Sequence, residues 1–174
     1  MRLFVAINLS EGTRSRIASF GKELRSLSKR GAFTRSENIH LTLAFIGECD
    51  DTQANAVRAA MYETDIRPFT ITTDALGRFR RYGETYTWWA GIAKNEYLDD
   101  MQHRLAERIT SKGVGMDDRK YKPHITFGRE IVSQTGPWNI EPFDEPVGSI
   151  ELMRSERIDG KLTYTTIYSK KAEE

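Results

Sequence analysis

The sequence predicts an α+β fold with antiparallel-rich sheets and helices on the outside. Runs of apolar, β-branched and aromatic residues with two-residue periodicity alternate with segments whose apolar residues recur at helical spacing. Each predicted helix has one apolar stripe and one charged face, so each should pack against a sheet with its other side in water. A His-x-Thr tripeptide occurs twice, at residues 40–42 and 124–126. We therefore expect two similar lobes, related by a pseudo-two-fold axis, whose sheets line a central cleft.

The amino-terminal part of the chain is predicted to alternate strands with helices. Ser10 is a suitable N-cap for the first helix, and Gly31 is its expected stop. Asp50 and the two polar residues after it should open the second helix, which Pro68 follows. The predicted elements are a strand at 2–9, a helix at 10–29, a strand at 38–47 and a helix at 50–65.

The rest of the chain is predicted to contain two hairpins, with a helix and the second His-x-Thr strand between them. Asn95 should start that helix, whose apolar stripe repeats every three or four residues from Leu98 to Ile109. A Pro-rich connection precedes the last hairpin, and Asp159-Gly160 between two alternating runs is a strong hairpin signal. The predicted elements are strands at 69–76 and 85–93, a helix at 95–113, a strand at 123–129, and strands at 149–157 and 162–169.

The two His-x-Thr tripeptides lie at matching points of an internal pattern. Residues 1–47, shifted by 84 positions, fall on residues 85–131 without a gap, and strand, helix and tripeptide then coincide. The alternative is a coincidence of ordinary α/β spacing, since few residues outside the tripeptides are identical. We interpret residues 1–174 as a single domain of two lobes built on this strand-helix-strand repeat.

Length and composition restrict the kind of protein. A chain of 174 residues can bury about 70% of its unfolded surface in one domain. Its formal net charge is +1, so any contact with nucleic acid must come from local clusters of charge. No secretory leader and no apolar run long enough to span a membrane are present, so we expect a cytoplasmic monomer without a membrane partner. Cys49 is the only cysteine, which excludes a disulfide framework within one chain.

The pattern around each tripeptide points to acid/base chemistry. In the first strand His40 and Thr42 share one face while apolar neighbours occupy the other, and His124 and Thr126 repeat this arrangement. Two imidazoles across a cleft can accept a proton on one side and donate one on the other, because the pKa of histidine is about 6.5. The threonine hydroxyls can donate hydrogen bonds to an anionic oxygen, as a phosphodiester requires. The alternative is two structural histidines on ordinary strands.

Metal catalysis is a second alternative at this site. Two histidines could act as ligands, but neither strand offers a carboxylate or cysteine on the histidine face, and no closely spaced histidine pair occurs. His103 lies off the apolar stripe of its helix and is interpreted as a surface residue. No phosphate-binding loop for ATP is present. We therefore expect neither a metal nor another cofactor.

Three segments give the chain a resemblance to a known family. The opening RLFVAINL, then ENIHLTLAFIGE, and finally YKPHITFGR resemble the 2H phosphoesterases, and among them the bacterial and archaeal RNA 2′,3′-cyclic phosphodiesterases once called 2′-5′ RNA ligases. The resemblance implies a two-lobed fold and metal-independent opening of a 2′,3′-cyclic phosphate on RNA or a nucleotide to a 2′-phosphomonoester.

The resemblance also implies roles for particular residues. His40 and His124 would be the acid/base pair, with His40 as acid and His124 as the base that activates water. Thr42 and Thr126 would hold the phosphate, and Arg129 would contact phosphate or base. Strict strand alternation points Arg129 away from His124, so this last role requires the strand to end or bulge at Gly128.

Two classes of function follow from the sequence. The first is an RNA 2′,3′-cyclic phosphodiesterase, whose reverse reaction would be ATP-independent 2′-5′ ligation. The second is a non-catalytic module that binds RNA ends or nucleotides in the same cleft. The connection between the strands of the first hairpin, residues 77–83, interleaves cations with aromatic residues, and we expect residues 78–82 to contact RNA, with a solvated hairpin loop as the alternative.

Overall fold

Two β-sheets and three α-helices form the framework of the protein. The structure is a computed structural model and describes residues 1–117 and 119–174. The helices are α1 (Glu11–Ser26), α2 (Asp51–Glu63) and α3 (Glu96–Ser111), and a short 3-10 helix spans Ser36–Asn38. The strands are β1 (Arg2–Asn8), β2 (Ser28–Phe33), β3 (His40–Glu48), β4 (Phe69–Arg80), β5 (Tyr86–Ile92), β6 (His124–Ser133), β7 (Phe143–Val147), β8 (Ser149–Ile158) and β9 (Lys161–Lys171).

The strands form a four-stranded sheet in the order β3-β1-β8-β9 and a five-stranded sheet in the order β2-β6-β5-β4-β7. All strand pairs in the described residues are antiparallel. Helix α1 follows β1 in the chain but contacts β2 and β6 of the other sheet, while α3 follows β5 and contacts α2 and β3. The predicted α+β class with antiparallel sheets is confirmed.

The helices begin where short polar side chains can satisfy their free backbone N–H groups. Ser10 accepts a hydrogen bond from the backbone of Thr13, and Asn95 caps α3 in the same way. Asp50 and Gln53 form a reciprocal capping box at the start of α2. All three predicted helix starts are therefore correct.

One hydrophobic cluster joins both sheets to all three helices. It takes alternate residues of β1 and three buried residues of β3 from one sheet, and buried residues of β5 and β6 from the other. The predicted stripe of α3 is fully buried in this cluster, because Leu98, Met101, Leu105 and Ile109 each have 0% exposure. A smaller cluster of Phe4, Ala6 and Met153, with Tyr164 packed against it, lies on the opposite face of β1.

The predicted end of the first helix is wrong. Helix α1 ends at Ser26 rather than near Lys29, and Leu27, which lies inside the predicted helix, is outside the observed one and 51% exposed. The next residues form β2, which pairs with β6 and was not predicted because four of its six residues are exposed and show no apolar alternation. Gly31 is not a helix stop: a Cβ there would lie 2.2 Å from a methyl carbon of Ile131, so glycine permits the close approach of β2 to β6.

Two further boundaries differ from the prediction. Strand β4 continues to Arg80, so residues 77–80 of the predicted loop are paired with β5. The Pro-rich connection contains β7, an edge strand in which Pro146 is tolerated because its nitrogen need not donate to a second neighbour. The final hairpin is as predicted, with Asp159 and Gly160 at φ 52° and 78°, the left-handed conformation that its tight turn requires.

The proposed repeat can be compared with the observed boundaries. Strands β1 and β5 begin at residues 2 and 86, and β3 and β6 begin at residues 40 and 124, a separation of 84 in both cases. Because β2 joins the sheet that contains β6, the two units interleave. The division into two lobes remains a prediction. No helix in residues 1–117 and 119–174 combines the length and apolar character needed to cross a membrane.

The buried carboxylate of Glu145, in β7, forms hydrogen bonds with the start of α1. Both oxygens of Glu145, a residue only 5% exposed, accept hydrogen bonds. The backbone N–H of Ser10 donates over 2.7 Å, and the hydroxyls of Ser10 and Thr13 donate over 2.8 Å each. Charge-assisted bonds of this kind are stronger than neutral ones, and they also satisfy the first turn of the helix.

We expect Glu145→Ala to lower the free energy of unfolding by about 2–4 kcal/mol, because it leaves the buried hydroxyl of Thr13 and two donors of the exposed Ser10 without their acceptor. Glu141→Ala is the matched control, since Glu141 is an exposed residue of the same segment. Urea denaturation of both variants would measure the difference. Equal midpoints would show that Glu145 does not stabilise this contact.

Candidate active site

A cavity of about 680 Å³ is lined by residues of both sheets. Strands β3 and β6, which carry the two tripeptides, come into contact beside it. Its walls include four of the five predicted site residues, namely Thr42, His124, Thr126 and Arg129. The remaining lining residues are Leu43, Ala44, Phe45, Phe79, Arg81, Thr87, Gln102, Met116, Asp117, Arg119, Lys120, Tyr121 and Lys122.

His124 opens onto this cavity from the start of β6. Its Nδ1 lies 2.6 Å from the carbonyl oxygen of Lys122, which can only accept, so Nδ1 carries the proton and donates. The edge of the imidazole meets the ring of Phe79 at 5.5 Å, and Trp89 lies 6.1 Å away. These contacts orient the ring so that Nε2 of a neutral His124 is the nitrogen available for chemistry.

His40 is held in the same way at the start of β3, but in a more enclosed position. Its Nδ1 donates to the carbonyl oxygen of Asn38 over 2.7 Å. Phe4 and Tyr164 flank the imidazole at 4.9 and 5.3 Å. Nε2 lies 2.9 Å from Thr42 Oγ1, and through this hydrogen bond His40 is connected to the cavity wall.

The surroundings of His40 favour its neutral form. Burial lowers the pKa of His40, the hydrogen bond to the Asn38 carbonyl opposes that shift, and the positive charge of Arg129 lowers the pKa further. A neutral ring with Nδ1–H has a lone pair on Nε2, so the hydroxyl of Thr42 donates to it. Burial and the charge of Arg129 therefore favour the uncharged form of His40 in the free protein.

Strand β6 bulges beside Gly128, as a role for Arg129 at the site would require, and Arg129 lies on the cavity wall. Trp88 and Trp89, adjacent in β5, pair with Gly128 and Thr126, so Phe127 is an extra residue on β6. Such an insertion reverses the alternation after it. A second irregularity follows, where Glu130 has a φ of 53°. Arg129 thus shares the cavity with His124 and is also close enough to His40 to lower its pKa.

The cavity is much more basic than the molecule as a whole. Five of its described lining residues are cationic, and only Asp117 is anionic, in a chain whose net charge is +1. Asp117 itself pairs with Arg119 through their side chains. An excess of positive charge around two imidazoles and two threonine hydroxyls favours an anionic substrate such as a phosphate ester.

The same charge distribution bears on metal binding. Within the described part of the chain, no three His, Cys, Asp or Glu side chains come together as a metal site would need. The cations in the cavity would also repel a metal ion. The donor groups that are present therefore fit direct binding of an anion better than coordination of a metal.

Several cavity residues were not predicted. The hydroxyl of Tyr121 donates to the carbonyl oxygen of Thr42 over 2.9 Å and so ties the loop before β6 to β3. Phe45 is 47% exposed, with the guanidinium of Arg2 4.9 Å above its ring. Tyr121 lies three residues before His124, in the YKPHITFGR segment, a signal that could have been used. Tyr164, beside His40, comes from the last strand and has no such signal.

The side chains of residues 78–82, which were predicted to contact RNA, lie in different environments. Phe79 and Arg81 line the cavity. The guanidinium of Arg78 instead stacks over Tyr86 at 4.1 Å and donates to the Thr135 carbonyl. This segment is therefore partly a structural support and partly a wall of the cavity.

Comparison with known proteins identifies the family to which this chain belongs. A family model described as LigT like phosphoesterase matches residues 7–86. An RNA 2′,3′-cyclic phosphodiesterase of Archaeoglobus fulgidus is 30% identical over 151 residues, which cover 83% of this chain and 85% of that protein. The chain belongs to the LigT-like phosphoesterases. The resemblance to the 2H phosphoesterases predicted from the sequence is thereby confirmed, and with it the prediction of an enzyme.

Further similarities of this LigT-like chain extend over almost its whole length. An RNA 2′,3′-cyclic phosphodiesterase of Methanothermobacter thermautotrophicus is 28% identical over 153 residues, 87% of this chain and 80% of that one. A crystal structure described as a phosphoesterase is 25% identical, with a TM-score of 0.83 over 99% of this chain and 98% of its own. The fold is thus that of LigT-like phosphoesterases from end to end.

We expect Arg129→Met to raise the pKa of His40, because it removes a positive charge that disfavours the imidazolium form. Titration of the imidazole proton signals by NMR would measure the change. His103 is the internal control, since it is exposed and paired with Glu107. An unchanged His40 titration would mean that the guanidinium does not act on this ring.

Proposed function

We propose that this protein hydrolyses the 2′,3′-cyclic phosphate of RNA ends or nucleotides to a 2′-phosphomonoester by two-histidine acid/base catalysis. One observation carries the proposal. His40 and His124 are each held through Nδ1 by the backbone carbonyl two residues before, on strands that meet beside one basic cavity. The similarity to RNA 2′,3′-cyclic phosphodiesterases of two archaea supports this substrate class.

The threonines and the arginine would bind the phosphate. A cyclic phosphodiester carries one negative charge shared between two oxygens outside the ring. The hydroxyls of Thr42 and Thr126 can donate to these oxygens, and Arg129 can balance the charge. These groups would also stabilise the extra charge that develops when water attacks phosphorus.

The two imidazoles would divide the proton transfers between them. His124 would take a proton from water as the water oxygen attacks phosphorus. His40 would donate a proton to the departing 3′ oxygen, so that the bond from phosphorus to the 3′ oxygen breaks and the 2′ phosphomonoester remains. Protons balance over one turnover, because the proton gained by His124 replaces through solvent the one lost by His40.

Binding of the substrate would prepare His40 for this role. In the free protein His40 is neutral and Thr42 donates to its Nε2. The phosphate anion would offset the charge of Arg129 and raise the pKa of His40, so that the imidazolium form becomes populated in the complex. Thr42 would then turn its hydroxyl from His40 to the phosphate, leaving Nε2–H to face the leaving oxygen.

Two related possibilities share this cavity. In the first, a 5′ hydroxyl would take the place of water and attack the cyclic phosphate, so that a 2′-5′ phosphodiester forms without ATP as the bond from phosphorus to the 3′ oxygen breaks; the same base and acid would serve. A module that only binds RNA ends would not need two oriented imidazoles, because arginine or lysine binds an anion more strongly. Turnover of a 2′,3′-cyclic mononucleotide by the purified protein separates an enzyme from a binding module.

We expect His40→Ala and His124→Ala each to lower the rate of cyclic nucleotide hydrolysis on the order of 10²-fold or more, since each removes one proton transfer. The double variant should lose far less than the product of the two losses, because the pair acts as a unit. The wild-type rate should show a bell-shaped dependence on pH and no change on addition of EDTA.

His103→Ala is the matched control for these variants, because this third histidine is 71% exposed and lies on α3. It should retain the wild-type rate. A rate that falls with EDTA and is flat against pH would replace the two-histidine mechanism by a metal one.

The assignment of acid and base has its own test. We expect a substrate with a better leaving group at the 3′ position to restore much of the rate of His40→Ala, because a stable leaving anion needs no proton. His124→Ala should stay impaired, since it lacks the base for water. Steady-state rates with the two substrates measure this, and rescue of His124→Ala alone would exchange the two roles.

A further inference from the structure

The outer end of the β4–β5 hairpin continues one wall of the cavity. Phe79 contacts His124, and Arg81 follows two residues later on the same wall. A two-residue step along an extended chain is about 7 Å. Arg81 therefore continues the cavity wall about one such step from Phe79, and its side chain is exposed to solvent.

The polar groups of this turn are satisfied within the turn itself. The backbone N–H of Arg81 donates to the Thr85 carbonyl, and both the backbone and the hydroxyl of Thr85 donate to the Tyr82 carbonyl. Arg80 donates from Nε to the Gly83 carbonyl. These hydrogen bonds order the turn before a ligand binds, so binding would cost little conformational entropy of the turn.

Arg81 and Tyr82 present their side chains to solvent from this ordered turn. In the described part of the chain no carboxylate forms an ion pair with Arg81, whose side chain is exposed. Tyr82 is 66% exposed, and its hydroxyl reaches Glu130 at 3.3 Å, which holds the ring at the edge of the turn. Glu84, the other acidic residue nearby, lines a separate small cavity with Lys29 and Arg78.

We propose that Arg81 and Tyr82 bind the RNA strand upstream of the terminal nucleotide, so that the preferred substrate is an oligonucleotide rather than a mononucleotide. This inference rests on the proposed function. Only the last nucleotide carries the cyclic phosphate, and the chain before it must leave the cavity. Arg81 is placed to contact the next phosphate, and the face of Tyr82 is available for stacking on a base.

Both contacts are independent of base sequence. A guanidinium that binds a phosphate makes no hydrogen bond to the edge of a base, and every base has a face on which an aromatic ring can stack. The surface therefore suits single-stranded RNA ends of varied sequence. It does not suit a long duplex, which would need a much larger basic surface than the net charge of +1 suggests.

The test compares two substrates, a 2′,3′-cyclic mononucleotide and a single-stranded decanucleotide ending in 2′,3′-cyclic phosphate. We expect Arg81→Ala to lower kcat/KM for the oligonucleotide about tenfold more than for the mononucleotide. Tyr82→Ala should lower the same ratio by a similar factor. Arg30→Ala is the matched control, since Arg30 is an exposed arginine of β2 that neither lines the cavity nor belongs to this turn, and it should leave the ratio unchanged.

Salt dependence provides a second readout of the phosphate contact. The logarithm of oligonucleotide affinity should fall with the logarithm of salt concentration, and Arg81→Ala should reduce the slope by about 0.7, the value for one phosphate contact on a single strand. Fluorescence anisotropy with an RNA decamer ending in 2′-phosphate measures this without turnover. The binding arm therefore tests the inference even if the protein hydrolyses neither substrate, a result that would overturn only the proposed function.

Equal losses on both substrates would overturn the inference, because Arg81 would then support the cavity rather than bind an upstream nucleotide. No loss on either substrate, with an unchanged salt slope, would overturn it as well.

Discussion

The common hydrophobic core of the two sheets is the constraint on which the site depends. Leu41 and Leu43 of β3 are at most 2% exposed, as are Ile125 and Phe127 of β6, and all four lie in one cluster. Because side chains alternate along a strand, burial of these residues turns the intervening tripeptide side chains the other way. A register slip of one residue would expose the apolar set and bury the histidines, so the energy of the core also specifies the direction of the proposed catalytic groups.

The departure from this alternation is as important as the alternation itself. The extra residue at Phe127 and the irregularity at Glu130 let β6 bury its apolar residues and still bring Arg129 to the cavity. The arginine then acts on His40 across the sheets, where its charge lowers the pKa of the imidazole. A bulge in one strand thereby couples the two halves of the proposed site electrostatically.

The two histidines make the same kind of hydrogen bond through Nδ1 but differ in their surroundings. Backbone carbonyls hold Nδ1 of both rings, which selects one tautomer for each. His40 is enclosed by Phe4 and Tyr164 and bonded to Thr42, whereas His124 lines the cavity directly. The enclosure of His40 has an electrostatic consequence, because burial lowers the pKa of this imidazole.

The sequence by itself determined what depends on neighbours along the chain. Residues a few positions apart predict the helix caps, such as Ser10, the Asp159-Gly160 turn and the face on which each histidine lies. Three short sequence motifs indicate the family. Only the tertiary structure decided the features made by distant partners. Strand β2 forms because it pairs with β6, and Glu145 meets α1 from more than a hundred residues away. The enclosed setting of His40 likewise depends on a tyrosine of the last strand. Edge strands and buried polar contacts leave no periodic pattern, because the group that stabilises them is absent from the local sequence.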